Sequence, residues 1–212
     1  MSEESESEER IDIMTLGNQG VGKTNFILRY TENIYQETYL NTIGIDFKTK
    51  NIIINENQYK LFFYDTAGQE KFKSISLNIV KNTQGIILMY DITDKSSFLA
   101  IPDWIESIRE IKEKNFPMIL CGNKIDLEDK RIVSKEEGKK LADEYQIEFF
   151  ETSNKDEINI NEAGICIVNK ILDKRSKDNL SVEVNRSNST SKLSSRTTRT
   201  EQAEDSMKCC RS

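Results

Sequence analysis

The sequence predicts an α/β protein: a three-layer sandwich built on a mostly parallel six-stranded sheet, with one antiparallel edge strand and helices on both faces. Three observations carry this. Six strand-like runs alternate with stretches of helical spacing along the 212 residues. Several of those runs are continuously apolar, as strands covered on both faces are. One adjacent pair of runs has no helix between its members, which breaks the alternation with an antiparallel hairpin.

The strands are expected at 10–16 (RIDIMTL), 45–54 (IDFKTKNIII), 58–64 (QYKLFFY), 85–91 (GIILMYD), 117–121 (PMILC) and 148–152 (EFFET). The second and third form the hairpin, joined through NEN. Apolar residues at three- and four-residue spacing place helices at roughly 23–31, 68–81, 96–114, 134–146 and 159–175. The fourth helix opens with Ser134 followed by Glu137, a capping-box pattern. Pro102 falls in the first turns of its helix, where proline costs least.

Residues 1–9 are acidic and serine-rich with no apolar centre, which reads as a disordered cap and not a secretory signal. The folded domain is expected over 10–175, and residues 176–212 read as a disordered, hypervariable tail. Residues 174–212 carry nine Lys or Arg and five Asp or Glu, only mildly basic. The formal charge of the whole chain is −6, so electrostatics give no reason to expect nucleic acid as a partner. There is no histidine, which excludes histidine catalysis and histidine metal ligation. The four cysteines, Cys121, Cys166, Cys209 and Cys210, show no disulfide or metal spacing and fit a reducing compartment.

Chemistry concentrates first at Gly17, Asn18, Gln19, Gly20, Val21, Gly22, Lys23 and Thr24, which fit G-x-x-x-x-G-K-[ST] between a strand and a helix. Glycine lets the backbone turn its N–H groups toward phosphate oxygens. Lys23 would reach the β- and γ-phosphates, and the Thr24 hydroxyl would bind Mg²⁺. The helix that follows adds its positive dipole end. In YDTAGQE, after the third strand, Asp65 is placed to hold the Mg²⁺ shell, Gly68 to meet the γ-phosphate with its N–H, and Gln69 to orient the attacking water.

GNKIDL, after the fifth strand, resembles the N-K-x-D guanine motif. The Asp126 carboxylate can accept from the guanine N1–H and amine together, a donor pair that adenine lacks. Asn123 can bond the far edge of the base, and the Lys124 stem can lie over the ring. These two features argue against an ATP-dependent kinase or ATPase.

With NTIGIDF (41–47), KLFFYDTAGQEKF (60–72) and MYDITDKSSF (89–98), the chain resembles a small GTPase of the Ras superfamily, specifically the Rab family, over roughly residues 10–175. The resemblance implies the P-loop NTPase fold, GTP and GDP as ligands with Mg²⁺ as cofactor, and GTP hydrolysis that is slow without an activating protein. It implies that Thr42 coordinates Mg²⁺ and touches the γ-phosphate, so that its loop is ordered only with GTP. Tyr35 is implied to stack beside the base. ETSNKD resembles the family's S-A-K loop, which brings Ser153, Asn154 and Lys155 to the guanine, with Asn154 in place of alanine. An effector, an exchange factor, a GTPase-activating protein, a prenylation escort and a GDP-dissociation inhibitor are implied as partners. Gln19 stands where many relatives have a small residue, and Tyr64 replaces a usual tryptophan. A hydrolysis-poor GTP-binding scaffold on membranes is the alternative function.

The chain ends MKCCRS, which resembles the Rab prenylation signal and loosely fits C-a-a-X as well. Cys209 and Cys210 permit one or two lipids, and two chains anchor stably where one is marginal. The expected location is the cytoplasmic face of intracellular membranes, lipid-anchored and cycling with the cytosol, with a role in vesicle trafficking.

Overall fold

A computed structural model of the protein describes residues 8–37, 45–66 and 78–180. Its elements are β1 (Glu9–Leu16), α1 (Lys23–Glu32), β2 (Ile45–Ile54), β3 (Asn57–Thr66), β4 (Gly85–Asp91), α2 (Lys95–Leu99), α3 (Ile101–Arg109), β5 (Met118–Asn123), α4 (Lys135–Tyr145), β6 (Glu148–Thr152) and α5 (160–180). A six-residue 3₁₀ turn, Ile125–Lys130, follows β5. The chain divides into a compact unit up to Ile171 and a second unit from Leu172.

The six strands form one sheet in the order β2-β3-β1-β4-β5-β6. All neighbours are parallel except β2 and β3, which pair antiparallel at the edge. Asn55 and Glu56 make the hairpin turn, with φ of 49° and 67°. Two left-handed residues in succession match the twist of the strands they join.

Period-two alternation assigns the two layers of helix. Ile86, Leu88 and Tyr90 of β4 join Met14, Leu16, Trp104, Ile105, Ile108 and Ala142 in a buried cluster that holds α3 and α4 against one face. Gly85 abuts Ile167 and Ile171 of α5 on the other face. There α1 packs beside α5, with Gly164 against the Tyr30 ring, and Tyr30 meets Phe63 of β3 edge-on at 5.2 Å between centroids.

The capping box of α4 forms as expected: Glu137 N donates to Ser134 Oγ (3.1 Å), and Ser134 N donates to Glu137 Oε2 (2.9 Å). The single helix expected over 96–114 is instead two helices that meet at Ala100, and residues 110–114 turn out of helix. Pro102 has no N–H for the Phe98 carbonyl, so the helix restarts at Ile101 and proline sits in its first turn. Of the helix expected over 68–81, residues 78–80 are helical and 68–77 lie outside the described residues. The last helix runs to residue 180, past the expected end at 175, so residues 176–180 are helical and not linker. Lys, Asp, Asn and Leu continue a turn without a breaker, and Ser176 Oγ donates back to Leu172 O at 3.0 Å.

Candidate functional site

Five parallel strands end at one edge of the sheet, and every sequence-predicted motif within the described residues leaves from that edge. Open α/β sheets bind ligands outside the carboxyl ends of their strands. The loop from Gly17 to Thr24 leaves β1. Gly17 holds φ at 145° with its α-carbon against the Met89 carbonyl, where a side chain would collide. Gly22, at φ 101°, is pressed by the side-chain amides of Asn123 and Asn154. Both positions need glycine, for conformation and for space.

Lys23 is 5 % exposed, and its Nζ donates to Gly17 O (2.9 Å) and Asn18 O (2.8 Å). Burial pulls its ammonium down to about 8, with the Asp65 charge opposing the shift. The amine is thereby folded back over its own loop, at the place where phosphate oxygens would sit. Thr24 Oγ1 donates to Asp65 Oδ2 at 2.6 Å, which joins the start of α1 to the end of β3. Gln19 is exposed at the loop.

The loops after β5 and β6 close on the same loop. Asn123 is 1 % exposed; its Nδ2 donates to Val21 O (2.8 Å), and its Oδ1 accepts from Thr152 Oγ1 (3.1 Å). The role expected for Asn123 at the far edge of the base is therefore joined by a bracing role, since its oxygen and one amide hydrogen already serve the protein. Ser153 Oγ donates to Asp126 Oδ1 at 2.7 Å and accepts from Asp156 N at 3.0 Å, so Asp126 is held from one side. Lys124 has φ 71°, and its ammonium pairs with Asp91 Oδ2 at 2.7 Å. Asn154 Nδ2 donates to Gly22 O at 2.9 Å.

Two contributors escaped the sequence reading. Arg29 of α1 donates to Asn154 O (2.9 Å) and Lys155 O (3.2 Å), and its guanidinium carbon lies 5.8 Å from the Tyr35 ring centroid. Trp104 of α3 donates its indole N–H to Asn18 Oδ1 at 3.3 Å. Neither pairing has a local signal, because partners 125 and 86 residues apart are joined only by the fold. Thr42, Gly68, Gln69, Cys209 and Cys210 lie outside the described residues.

A buried lysine in a glycine loop, a threonine–aspartate pair at its end, and an Asn-Lys-x-Asp segment closing over it define a P-loop nucleotide-binding protein. The Ras family model matches residues 12–173. The chain is 43% identical over 165 residues to Ras-related protein Rab-3C of Mus musculus, covering 78% of this chain and 73% of that one. It is 41% identical over 197 residues to Ras-related protein Rab-13 of Rattus norvegicus, covering 93% and 94%. GTP-binding protein yptV2 of Volvox carteri is 43% identical over 163 residues, covering 76% and 75%. The chain belongs to the Rab family of small GTPases, within the Ras superfamily. It is a GTP hydrolase.

Proposed function

We propose that this chain is a membrane-recruited switch in vesicle trafficking. GTP orders the segments that carry Thr42 and Gly68–Glu70, an effector binds that face, and hydrolysis releases both segments. The observation that supports the guanine site is the closure of the β5 and β6 loops on the phosphate loop, with Asp126 held by Ser153.

In this reading the backbone from Gly17 to Thr24 cradles the phosphates, and Lys23 leaves its own carbonyls to bond them. Asp126 accepts from the guanine N1–H and amine. A backbone N–H of the Ser153–Lys155 loop meets O6, and Tyr35 and Lys124 flank the ring. Gln69 orients the water that attacks the γ-phosphorus. Thr24, Asp65 and Thr42 would hold Mg²⁺; the hydroxyl and carboxylate at 2.6 Å are the hard oxygen donors that this ion takes. When bound, the ion neutralises charge on the phosphates.

Family membership supports the remaining parts. An activating protein supplies an arginine in trans, and an exchange factor opens the site. A prenylation escort and a GDP-dissociation inhibitor handle the lipidated tail, residues 181–212. Lipids on Cys209 and Cys210 hold the chain to the cytoplasmic face of intracellular membranes. Among the described residues, no helix is long and apolar enough to cross a membrane.

The test is single-turnover phosphate release from GTP and from ATP, with and without Mg²⁺. Release from GTP alone, dependent on Mg²⁺, is expected. Equal release from ATP overturns the guanine site, and no release from either overturns the switch in favour of a GTP-holding scaffold.

A further inference from the structure

Asn154 stands where the resembling loop carries alanine, and its side chain turns away from a base-recognition role. The side chain is buried, at 4 % exposure, and its Nδ2 donates to the Gly22 carbonyl at 2.9 Å. Beside it, Asn123 Nδ2 donates to the Val21 carbonyl at 2.8 Å. Two amides from two different loops thus hold consecutive carbonyls of the phosphate loop, and both press on the α-carbon of Gly22. The carbonyl contact fixes which end of the Asn154 amide faces the loop. Its Oδ1 has no donor among the described residues.

The backbone around Asn154 is held as well. Arg29 leaves α1, the helix that begins at the phosphate loop, and donates to Asn154 O and Lys155 O. The base-binding loop is therefore fastened to the phosphate loop through Gly22 and to the following helix through Arg29. Alanine at this position would keep the Arg29 link, which uses only backbone carbonyls, and would lose the link to Gly22. The side chain therefore adds one specific thing: a mechanical tie between the segment that meets the base and the segment that meets the phosphates.

We infer that Asn154 is a positioning residue for the phosphate loop, one that slows loss of nucleoside diphosphate by holding the Gly22 carbonyl. This rests on the guanine-nucleotide reading of the site. That carbonyl also takes the first hydrogen bond of α1, from Phe26 N at 2.9 Å, so the Asn154 amide is a second hold that keeps the turn from loop to helix, and with it the loop's N–H groups, set toward the β-phosphate. Its effect falls on ligands that carry that phosphate and not on the base itself.

The experiment measures release of a fluorescent GDP analogue, and competition by unlabelled GDP and GMP, for the full chain and for Asn154→Ala and Asn154→Asp. Losing one buried hydrogen bond should speed GDP release about 5- to 10-fold. Asn154→Asp turns an oxygen toward the Gly22 carbonyl in place of a donor and should release faster still. GMP lacks the β-phosphate, and its affinity should shift less than about 2-fold, which a general loss of structure would not spare. Asn154→Ser, shorter and without reach to Gly22, is expected to match Asn154→Ala and serves if either variant fails to fold. Unchanged GDP release, or equal weakening of GDP and GMP, overturns the inference. Failure of the unsubstituted chain to bind GDP would instead overturn the guanine site itself.

Discussion

Thr24 and Asp65 meet through a 2.6 Å hydrogen bond although 41 residues separate them. The bond fastens the first turn of α1 to the carboxyl end of β3, so the two oxygens that flank the phosphate loop are set by the fold before any ligand arrives. Thr24→Asn should break that pairing and bias the chain toward GDP or the empty state. GTP affinity should fall at least about 10-fold and GDP affinity less, because the Mg²⁺ that Thr24 is proposed to hold would meet an amide in place of the hydroxyl, and GTP carries one more phosphate for that ion to neutralise. Equilibrium binding of both nucleotides checks this, and equal losses would count against it.

Asp126→Asn should exchange guanine for xanthine. The carboxylate's two donors on guanine become mismatched with an amide, whereas xanthine offers a carbonyl to the new N–H. GDP affinity should drop about 10- to 100-fold, the cost of a charged hydrogen bond left unmade. Ser153→Ala should weaken GDP by less and leave base preference alone, since Ser153 holds Asp126 and does not replace it. Competition among GDP, XDP and ADP separates these outcomes.

Lys23 gives the site a pH dependence. Its pKa is about 8 in the folded chain against 10.5 ordinarily, so between those values the unfolded chain binds more protons. Stability of the nucleotide-free protein should therefore rise as pH climbs from 8 toward 10.5, and burial of the charge should cost most below 8. Phosphate oxygens beside Nζ favour the ammonium, so nucleotide binding above pH 8 should take up as much as one proton. Calorimetry in two buffers of different ionisation enthalpy, at pH 8.5 and at pH 6.5, should show the uptake only at the higher value. Identical uptake at both would rule out Lys23 as its source.

Gln69→Leu should leave GTP binding nearly intact and suppress turnover, because leucine cannot orient water. Gln19 is exposed at the phosphate loop, and Gln19→Gly should raise turnover if its bulk crowds the attacking water. Single-turnover hydrolysis reads both. Unchanged rate in Gln69→Leu would favour the scaffold function.

Changing Cys209 and Cys210 together to serine should make the protein cytosolic, and changing only one should weaken its membrane residence. Each buried methylene contributes about 0.8 kcal/mol, so the second lipid is what turns marginal binding into stable binding. Fractionation alongside a nucleotide-binding assay checks it; persistent membrane association with intact GTP binding would point to a protein receptor.

The parts of this protein that could be read from sequence are those with local causes. Ser134 and Glu137 cap α4 because they are three residues apart. Asn55 and Glu56 turn the hairpin because strands flank them closely. The phosphate loop announces itself through glycine spacing. What stayed hidden depends on orientation or distance. An N-K-x-D pattern fixes residue types, not that Asn123 turns inward to Val21 and Thr152. The break at Ala100 does have a local mark in Pro102, which the expected single helix absorbs into its first turns in place of a new start. Residues 176–180 are exposed, so their helix has no apolar stripe to mark it.

The chain has a single tryptophan, and its indole N–H reaches Asn18 of the phosphate loop. The protein therefore carries its own fluorophore beside the phosphate loop. Its tryptophan emission, selected away from that of the seven tyrosines by excitation at longer wavelength, comes from one place only, and a change in that loop alters the polarity and hydrogen bonding around that one ring. Exchange and hydrolysis can be followed on the unlabelled chain in real time, with the natural nucleotide in the pocket.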